Sequence, residues 1–425
     1  ALPIWDGIML ALLAALLLQP SAPADPSQCA SSDSGAPDLR PRGSRPLHLA
    51  AVYCHQAAES DYSSFNPAVS PDGRMLASLS EFARRGRLTL LPLSGRTGTA
   101  TLETNAGTFM RFAGFGGKPF FQWSDDSRFV WAARHPSQPA PGGWVTTPLQ
   151  PVRLFPDGRV ADLPRLAHPA GSLDGLLWVG GSGLALAKFG TQGGFYRPER
   201  PNPAPTIAIV DAARGRVLDA VRIEQILRLA GVPAGRAIYA QIRAAYVALR
   251  PDGRVRALLD VQDHWILWDQ GRPPRLLPGL QAASRMGTHG FDGSNLLVMR
   301  PRAGFANACG GYHGPCPRRQ PERGVWAELY DVASGRRLWS LYRDFDVRDS
   351  YSTPEISPDG NHALIALEPE ESGERVALIS MRDGSIVQIL NAPSGRFAAG
   401  FTRNGSAIWV QSQDRTVSYR FARRR

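Results

Sequence analysis

Short apolar runs and tight polar turns alternate along most of this chain. The two clearest copies, 69–77 and 356–364, are each centred on Ser-Pro-Asp-Gly between apolar segments. Proline presets the backbone angle that a turn needs, and glycine takes the positive φ that follows. Alternate residues of the flanking runs would point to opposite faces of a strand. Each copy therefore predicts a β-hairpin.

The same hairpin pattern recurs in weaker form, and a second family of turns follows it after a variable gap. The weaker copies are 123–130, 249–255, 290–296 and 401–407. The second family comprises 93–96, 156–159, 213–216, 333–336 and 382–385, with a weaker member at 270–272. Two hairpin turns per repeat give four strands per repeat, which is the blade of a β-propeller.

The repeats predict an all-β fold with a single β-propeller over residues 47–425. The predicted blades are 66–104, 119–166, 172–222, 241–278, 284–345, 351–392 and a three-stranded unit at 396–421. An apolar strand at 47–53 has no partner nearby, and we predict that it completes the last blade. This gives seven four-stranded blades closed by an N-terminal strand, which removes an exposed sheet edge. Six blades remain the alternative, because the turn at 180–183 reads Gly-Gly-Ser-Gly without Asp.

The Ser-Pro-Asp-Gly turns at 70–73 and 357–360 resemble the WD-repeat-like blades of TolB-type periplasmic propellers. Similar blades form the propeller domain of prolyl-oligopeptidase-type enzymes. The resemblance implies a six- or seven-bladed propeller in or beyond a cell envelope. It transfers no catalytic residue, because the shared motif is a turn.

The first 46 residues differ in composition from the repeats. Residues 7–18 form an apolar run of signal-peptide length, and small residues at 21–24 suggest cleavage before Asp25. Residues 1–24 are therefore predicted to be a signal peptide, with an uncleaved N-terminal membrane anchor as the alternative. Residues 25–46 are rich in Ser, Pro, Asp and Gly and are predicted to be a flexible lead-in. The predicted localisation is periplasmic or secreted, or membrane-anchored through the apolar run.

Four cysteines fit an exported protein. Cys309 and Cys316 enclose a glycine-containing loop, and Cys29 and Cys54 remain as the second pair. Four cysteines allow three pairings, and we choose this one by proximity in sequence. The rival is a metal site built from Cys309, His313 and Cys316, but that spacing matches no common zinc pattern. We therefore predict two disulfides, no metal and no cofactor.

The formal net charge is +11, yet the sequence contains only two lysines. The arginines are scattered through hairpin turns, and no basic stripe with interleaved aromatic residues is present. This argues against a nucleic-acid partner. Diffuse peripheral contact with an anionic membrane or polysaccharide surface stays open.

Loop length distinguishes the two faces of the predicted propeller. First-to-second and third-to-fourth strand connections share one face and are uniformly tight; we call it the trimmed face. Second-to-third connections and blade-to-blade links share the other face, which we call the built-up face. It receives every long segment, namely 105–118, 134–143, 189–205, 222–241 and 301–324. Long loops on a rigid scaffold usually carry binding or catalysis.

Aromatic and arginine side chains are concentrated in three of these long segments. This composition is shared by protein interfaces and sugar-binding sites. The candidate binding residues are Phe109, Arg111, Phe112, Phe115, Tyr196, Arg197, Arg200, Tyr312, His313, Arg318 and Arg319. The alternative for the three phenylalanines is that they cover blade ends as a small core. A fourth segment, 222–241, predicts a short helix that ends at Gly231.

Catalytic motifs are missing from the sequence. It contains no Gly-x-Ser-x-Gly elbow and no His-Glu-x-x-His, so no catalytic residue is assigned. The favoured interpretation is an exported, non-catalytic propeller that binds an envelope or secreted protein or peptide through the built-up face. The alternative is a propeller enzyme that acts on a carbohydrate or another polar substrate at the axial channel.

Overall fold

The structure is a computed structural model of the 425-residue chain. It describes residues 49–56, 64–82, 85–92, 100–105, 121–134, 149–190, 205–233, 242–262, 264–283, 288–299, 325–342, 354–370, 373–391, 398–403, 405, 407–411 and 415–421. The fold is all-β and forms a single β-propeller, as the repeats predict.

The described strands form seven four-stranded antiparallel sheets, numbered here in chain order. Sheets 1 to 3 contain β2 Ser64–Val69, β3 Met75–Phe82, β4 Arg85–Pro92 and β5 Ala100–Asn105; β6 Gln122–Trp123, β7 Val130–Arg134, β8 Gln150–Leu154 and β9 Val160–Asp162; and β10 Leu173–Val179, β11 Leu184–Phe189, β12 Thr206–Asp211 and β13 Arg216–Arg222. Sheets 4 and 5 contain β14 Ile242–Leu249, β15 Val255–Val261, β16 His264–Asp269 and β17 Arg275–Leu276; and β18 Thr288–Phe291, β19 Asn295–Met299, β20 Val325–Asp331 and β21 Arg337–Tyr342. Sheets 6 and 7 contain β22 Glu355–Ile356, β23 His362–Glu370, β24 Gly373–Ser380 and β25 Ile386–Asn391; and β26 Ala398–Phe401, β27 Ala407–Gln411, β28 Arg415–Phe421 and β1 Leu49–Gln56.

Sheets 1 to 6 are simple meanders in which each strand pairs with the next along the chain. Sheet 7 joins the two ends of the described chain, because β1 pairs antiparallel with β28. Val52 lies opposite Tyr419 in this pairing. The predicted strand at 47–53 thus pairs where we expected, although it is displaced by two to three residues and spans Leu49–Gln56.

The hydrophobic core lies between the sheets, because each sheet presents apolar residues on both of its faces. Strand β12 is buried at all six positions, as expected for a strand covered on both sides. Large aromatic side chains fill the spaces between sheets, among them Trp123, Trp178 and Trp265, each no more than 1% exposed.

Apolar contacts continue from sheet to sheet around the molecule. Distinct clusters join sheet 1 to sheet 2, sheets 2 to 4, sheet 4 to sheet 5 and sheet 5 to sheet 6. Strand β26 then contacts β22 and β2, and Trp409 of sheet 7 packs on Val69 and Leu76 of sheet 1. Indole hydrogen bonds also join neighbouring sheets. Trp123 Nε1 of sheet 2 donates to the Ala68 carbonyl of sheet 1 at 2.9 Å, and Trp339 Nε1 of sheet 5 donates to the Met381 carbonyl after strand β24 of sheet 6 at 2.8 Å.

The link after sheet 3 contains helix α1, Ile223–Leu229, where the sequence predicts a helix. Ile223, Ile226 and Leu227 are fully buried against the propeller. Gly231 follows the last turn of the helix, and its φ of +67° fits the left-handed cap that glycine favours. This apolar stripe therefore packs on the scaffold. A 3-10 helix, Pro278–Ala283, follows sheet 4.

Candidate functional site

The strand ends position every long connection on one face. The segments 135–149, 190–205 and 300–324 each join the second strand of a sheet to the third, and 106–121 joins sheet 1 to sheet 2. In an antiparallel meander these connections leave from the same end of the sheets. The strand bounds therefore agree with the predicted contrast between a built-up and a trimmed face.

The candidate binding residues lie outside the described residues. Phe109, Arg111, Phe112 and Phe115 follow β5; Tyr196, Arg197 and Arg200 follow β11; Tyr312, His313, Arg318 and Arg319 follow β19. Cys29, Cys309 and Cys316 also lie outside, and only the backbone of Cys54 is described, in β1. The disulfide pairing and the leader segments at 1–24 and 25–46 stay predictions.

On the trimmed face, the short turns satisfy their own polar groups. Ser70 is fully buried, and its hydroxyl donates to Asp72 Oδ1 at 2.6 Å while accepting from Met75 N at 2.9 Å. Ser124 and Ser357 repeat the arrangement with Asp126 and Asp359 at 2.7 and 2.5 Å. These serine and aspartate side chains are structural, because their hydrogen bonds hold the backbone of the turn.

An ion pair joins sheet 7 to sheet 2 on the trimmed face. Arg403, in the turn after β26, places Nη2 2.6 Å from Asp125 Oδ1 in the turn after β6. Strand β2 contacts both β26 and β6, so the arginine passes over sheet 1 to reach sheet 2. Burial lowers the pKa of Arg403, against the opposing effect of the Asp125 charge.

The glycines of the irregular third turn make room for this ion pair. A Cβ atom at Gly181 would lie 2.4 Å from Arg403 Nη1 and 2.5 Å from the Asp125 backbone nitrogen. A Cβ atom at Gly180 would lie 2.7 Å from Leu249 Cδ1 of sheet 4. The departure from Ser-Pro-Asp-Gly at 180–183 therefore leaves room for the close approach of Arg403, Asp125 and Leu249. Sequence reasoning missed this grouping, because its members come from four different sheets that contribute residues more than 50 positions apart.

A second polar grouping is buried between sheets 4 and 5. The Tyr246 hydroxyl lies 3.1 Å from Nδ1 of His289, which is 6% exposed. Burial, with the nearby Asp260 carboxylate, raises the pKa of Tyr246. Trp265 contacts the imidazole edge-on, with ring centroids 5.2 Å apart. His289 is therefore packed between the two sheets.

The described ranges contain neither a cluster suited to a metal ion nor a helix suited to span a membrane. Within them, no group of three His, Cys, Asp or Glu side chains is placed to hold a metal ion. Across those same residues, every helix is too short or too polar to cross a membrane.

Comparison with known proteins assigns the chain to no family. No protein-family model matches the chain, and no curated protein matches it significantly. Similar solved structures include a chain of the mitotic checkpoint complex. It is 10% identical, the match covers 92% of this chain and 98% of that chain, and the TM-score is 0.45. The WD40 repeats of RRP9 match at 8% identity over 89% and 99%, with a TM-score of 0.47. TolB from Acinetobacter baumannii matches at 14% identity over 79% and 55%, with a TM-score of 0.32. These remote likenesses assign the chain to no family, and the propeller fold rests on the described sheets and their packing.

Proposed function

We propose that this chain is an exported, non-catalytic β-propeller that binds an envelope or secreted protein or peptide through its built-up face. The observation that carries the proposal is the distribution of loop length. Connections on the trimmed face are tight and internally hydrogen-bonded, whereas the long segments leave from the opposite ends of the strands. Long loops on a rigid scaffold are the usual location of binding residues.

The binding mechanism would be rigid display. The inter-sheet core fixes the strand ends, and these ends fix where each long segment begins and finishes. A preorganised scaffold lowers the entropy that a partner must overcome on binding. The aromatic and arginine side chains of these segments would supply the anchors.

We further propose that the seven sheets are seven blades of one closed ring. Two observations support this count: the pairing of β1 with β28 completes the last sheet, and Trp409 packs the last sheet against the first. A closed ring would hold the strand ends of the built-up face in a fixed circle.

Affinity capture from the native envelope tests the proposed function. The bait is the oxidised chain, beside a variant in which Phe112, Arg197, Tyr312 and Arg319 are changed to Ala. A matched control changes Arg254 and Arg272, which are exposed on the trimmed face, to Ala. A partner retained by the parent and the control but lost by the loop variant would support the proposal.

Capture of the same partner by the loop variant would contradict the assignment to the built-up face. If no bait retains a partner although all three remain folded, the alternative gains support. That alternative is an enzyme acting on a carbohydrate or another polar substrate at the axial channel.

A further inference from the structure

The trimmed face carries a group of aromatic and arginine side chains outside the segments considered above. Its members are Phe129, Arg153, Phe155 and Arg159, which we call the arginine patch. Phe129 precedes β7, Arg153 lies near the end of β8, and the other two belong to the turn that follows β8. The patch therefore lies at the trimmed end of sheet 2.

Stacking fixes both guanidinium groups of the patch. Arg153 Cζ lies 5.0 Å from the ring centroid of Phe129 and 4.8 Å from that of Trp131. Arg159 Cζ lies 3.8 Å above the ring of Phe155. The two phenylalanine rings contact each other at 5.4 Å between centroids. A guanidinium held on aromatic faces is oriented, and its terminal Nη donors are the ones that a ligand would meet.

The rings beneath the patch are anchored in the core. Trp131 is 4% exposed, stacks on Trp178 of sheet 3 at 5.7 Å, and donates Nε1 to the Gly181 carbonyl at 2.9 Å. Phe129 meets Trp131 edge-on at 4.8 Å. The rings that support Arg153 are therefore set by the packing of sheets 2 and 3.

Charge in the patch is only partly compensated. Asp157 lies 3.9 Å from Arg159, and both side chains are more than 60% exposed. Within the described part of the chain, Arg153 forms no ion pair, and its Nε is buried without a hydrogen-bond partner. That nitrogen lies out of reach of a ligand, so an incoming acceptor would pair with the terminal nitrogens Nη1 and Nη2. Arg153 thus contributes one uncompensated positive charge beside two half-buried phenylalanine rings.

We propose that the arginine patch binds an acidic peptide segment of a partner protein. An Asp or Glu carboxylate would accept two hydrogen bonds from Arg153, and a neighbouring apolar side chain would pack on Phe129 and Phe155. One net positive charge matches a singly charged carboxylate better than a doubly charged phosphate. Bidentate pairing of arginine with carboxylate gives both strength and orientation. This site lies on the opposite face from the proposed loop surface and is independent of it.

The test uses the full chain and two fluorescein-labelled peptides, Gly-Glu-Phe-Glu-Gly and its amide twin Gly-Gln-Phe-Gln-Gly. Binding is followed by fluorescence anisotropy at low and at raised salt. A charged hydrogen bond is worth enough to make the acidic peptide bind about ten-fold tighter or more. Arg153→Gln should abolish the difference between the peptides. Arg153→Lys should restore only part of it, because lysine keeps the charge and loses the planar fork.

Controls separate recognition from folding. Arg272→Gln removes an exposed arginine from a trimmed-face turn of sheet 4 and should leave the difference unchanged. If Arg153→Gln unfolds, Arg159→Gln serves instead, because Arg159 is exposed and lies outside the strands; it should weaken binding of the acidic peptide. The variant in which the four residues Phe112, Arg197, Tyr312 and Arg319 are changed to Ala should bind the acidic peptide normally. Failure of this proposal can therefore be distinguished from failure of the proposed function.

Three results would overturn the proposal. They are equal binding of the acidic and amide peptides, unchanged binding by a folded Arg153→Gln variant, and competition by inorganic phosphate that is stronger than competition by acetate. The last result would replace the carboxylate with a phosphate ligand.

Discussion

At the scale of single residues, the buried serine of the hairpin turn stabilises the fold through its hydroxyl group. Ser70 Oγ accepts from the backbone nitrogen of Met75 and donates to Asp72. We expect Ser70→Ala to lower the free energy of unfolding by about 1–3 kcal/mol, because it leaves a backbone N–H without its acceptor. Denaturant unfolding measures the change.

The matched control for this substitution is Ser182→Ala, in the corresponding turn of sheet 3, where the serine is exposed. It should change stability by less than about 0.5 kcal/mol. Equal losses in both variants would show that the hydroxyl of Ser70 does not hold its turn.

The sequence predicts where the turns lie. It does not explain why two of them depart from the Ser-Pro-Asp-Gly motif. In sheet 2, Ser127 occupies the usual glycine position with φ of +60°, and its hydroxyl accepts from Asp72 N of sheet 1 at 3.0 Å. In sheet 3, Gly181 lies against Arg403 of sheet 7. Both substitutions serve contacts between distant residues, and local sequence carries no signal for them.

At the scale of elements, an ionic clamp connects sheet 4 to sheet 5. Arg256 of β15 places Nε 2.5 Å from Asp269 Oδ1 of β16 and donates Nη1 to the Gly293 carbonyl at 2.7 Å. Burial alone would raise the pKa of Asp269, but the hydrogen bond and charge of Arg256, helped by Arg250, hold it below its usual value. The clamp therefore depends on ionised Asp269.

The lowered pKa of Asp269 determines how the clamp depends on pH. A carboxyl whose pKa is lowered by folding stabilises the folded state above its unfolded pKa of about 3.9. The contribution is lost as the pH falls through the lower folded value. We expect Asp269→Asn to cost about 1.5–3 kcal/mol at neutral pH, because it removes a charged hydrogen bond. The loss should shrink on acidification.

Urea unfolding across the acid range checks this prediction. Asp252→Asn is the control, since Asp252 is 44% exposed and pairs with Arg250 at 3.2 Å. It should cost less than about 1 kcal/mol, as exposed pairs do. A loss at Asp269→Asn that does not depend on pH would contradict ionic stabilisation.

Strand positions were predictable because each strand lies between two turns with recognisable chemistry. The predicted third unit, 172–222, differs from the observed Leu173–Arg222 by one residue at its start. Short strands were less accessible to pattern reasoning. Strand β17 has only two residues, Arg275–Leu276, which are too few to show alternation.

At the scale of the whole molecule, the candidate binding surface was far less predictable than the scaffold. A repeat specifies architecture many times over, and each copy supports the others. The long segments of the built-up face occur once each and have no repeat to constrain them. Arg153 illustrates the same limit on the trimmed face, because its stacking on Trp131 depends on the packing of sheets 2 and 3.

The pairing of β1 with β28 makes a further prediction about the whole chain. Without β1, strand β28 would expose an unpaired edge, and such edges promote association between chains. We expect removal of residues 1–56 to lower the melting temperature by roughly 10 °C or more, because a whole strand costs several kcal/mol. Removal of residues 1–46 retains β1 and is the matched control.

Thermal melting and light scattering distinguish the two truncations, and a synthetic peptide of residues 47–56 provides a rescue. Added in excess, the peptide should raise the melting temperature of the chain that lacks β1 and reduce its association, because it restores the ladder from Leu49 to Gln56. The chain that retains β1 should not respond, since its edge is already paired. If both truncated chains have the same melting temperature and neither responds to the peptide, the propeller does not depend on closure through its N-terminal strand.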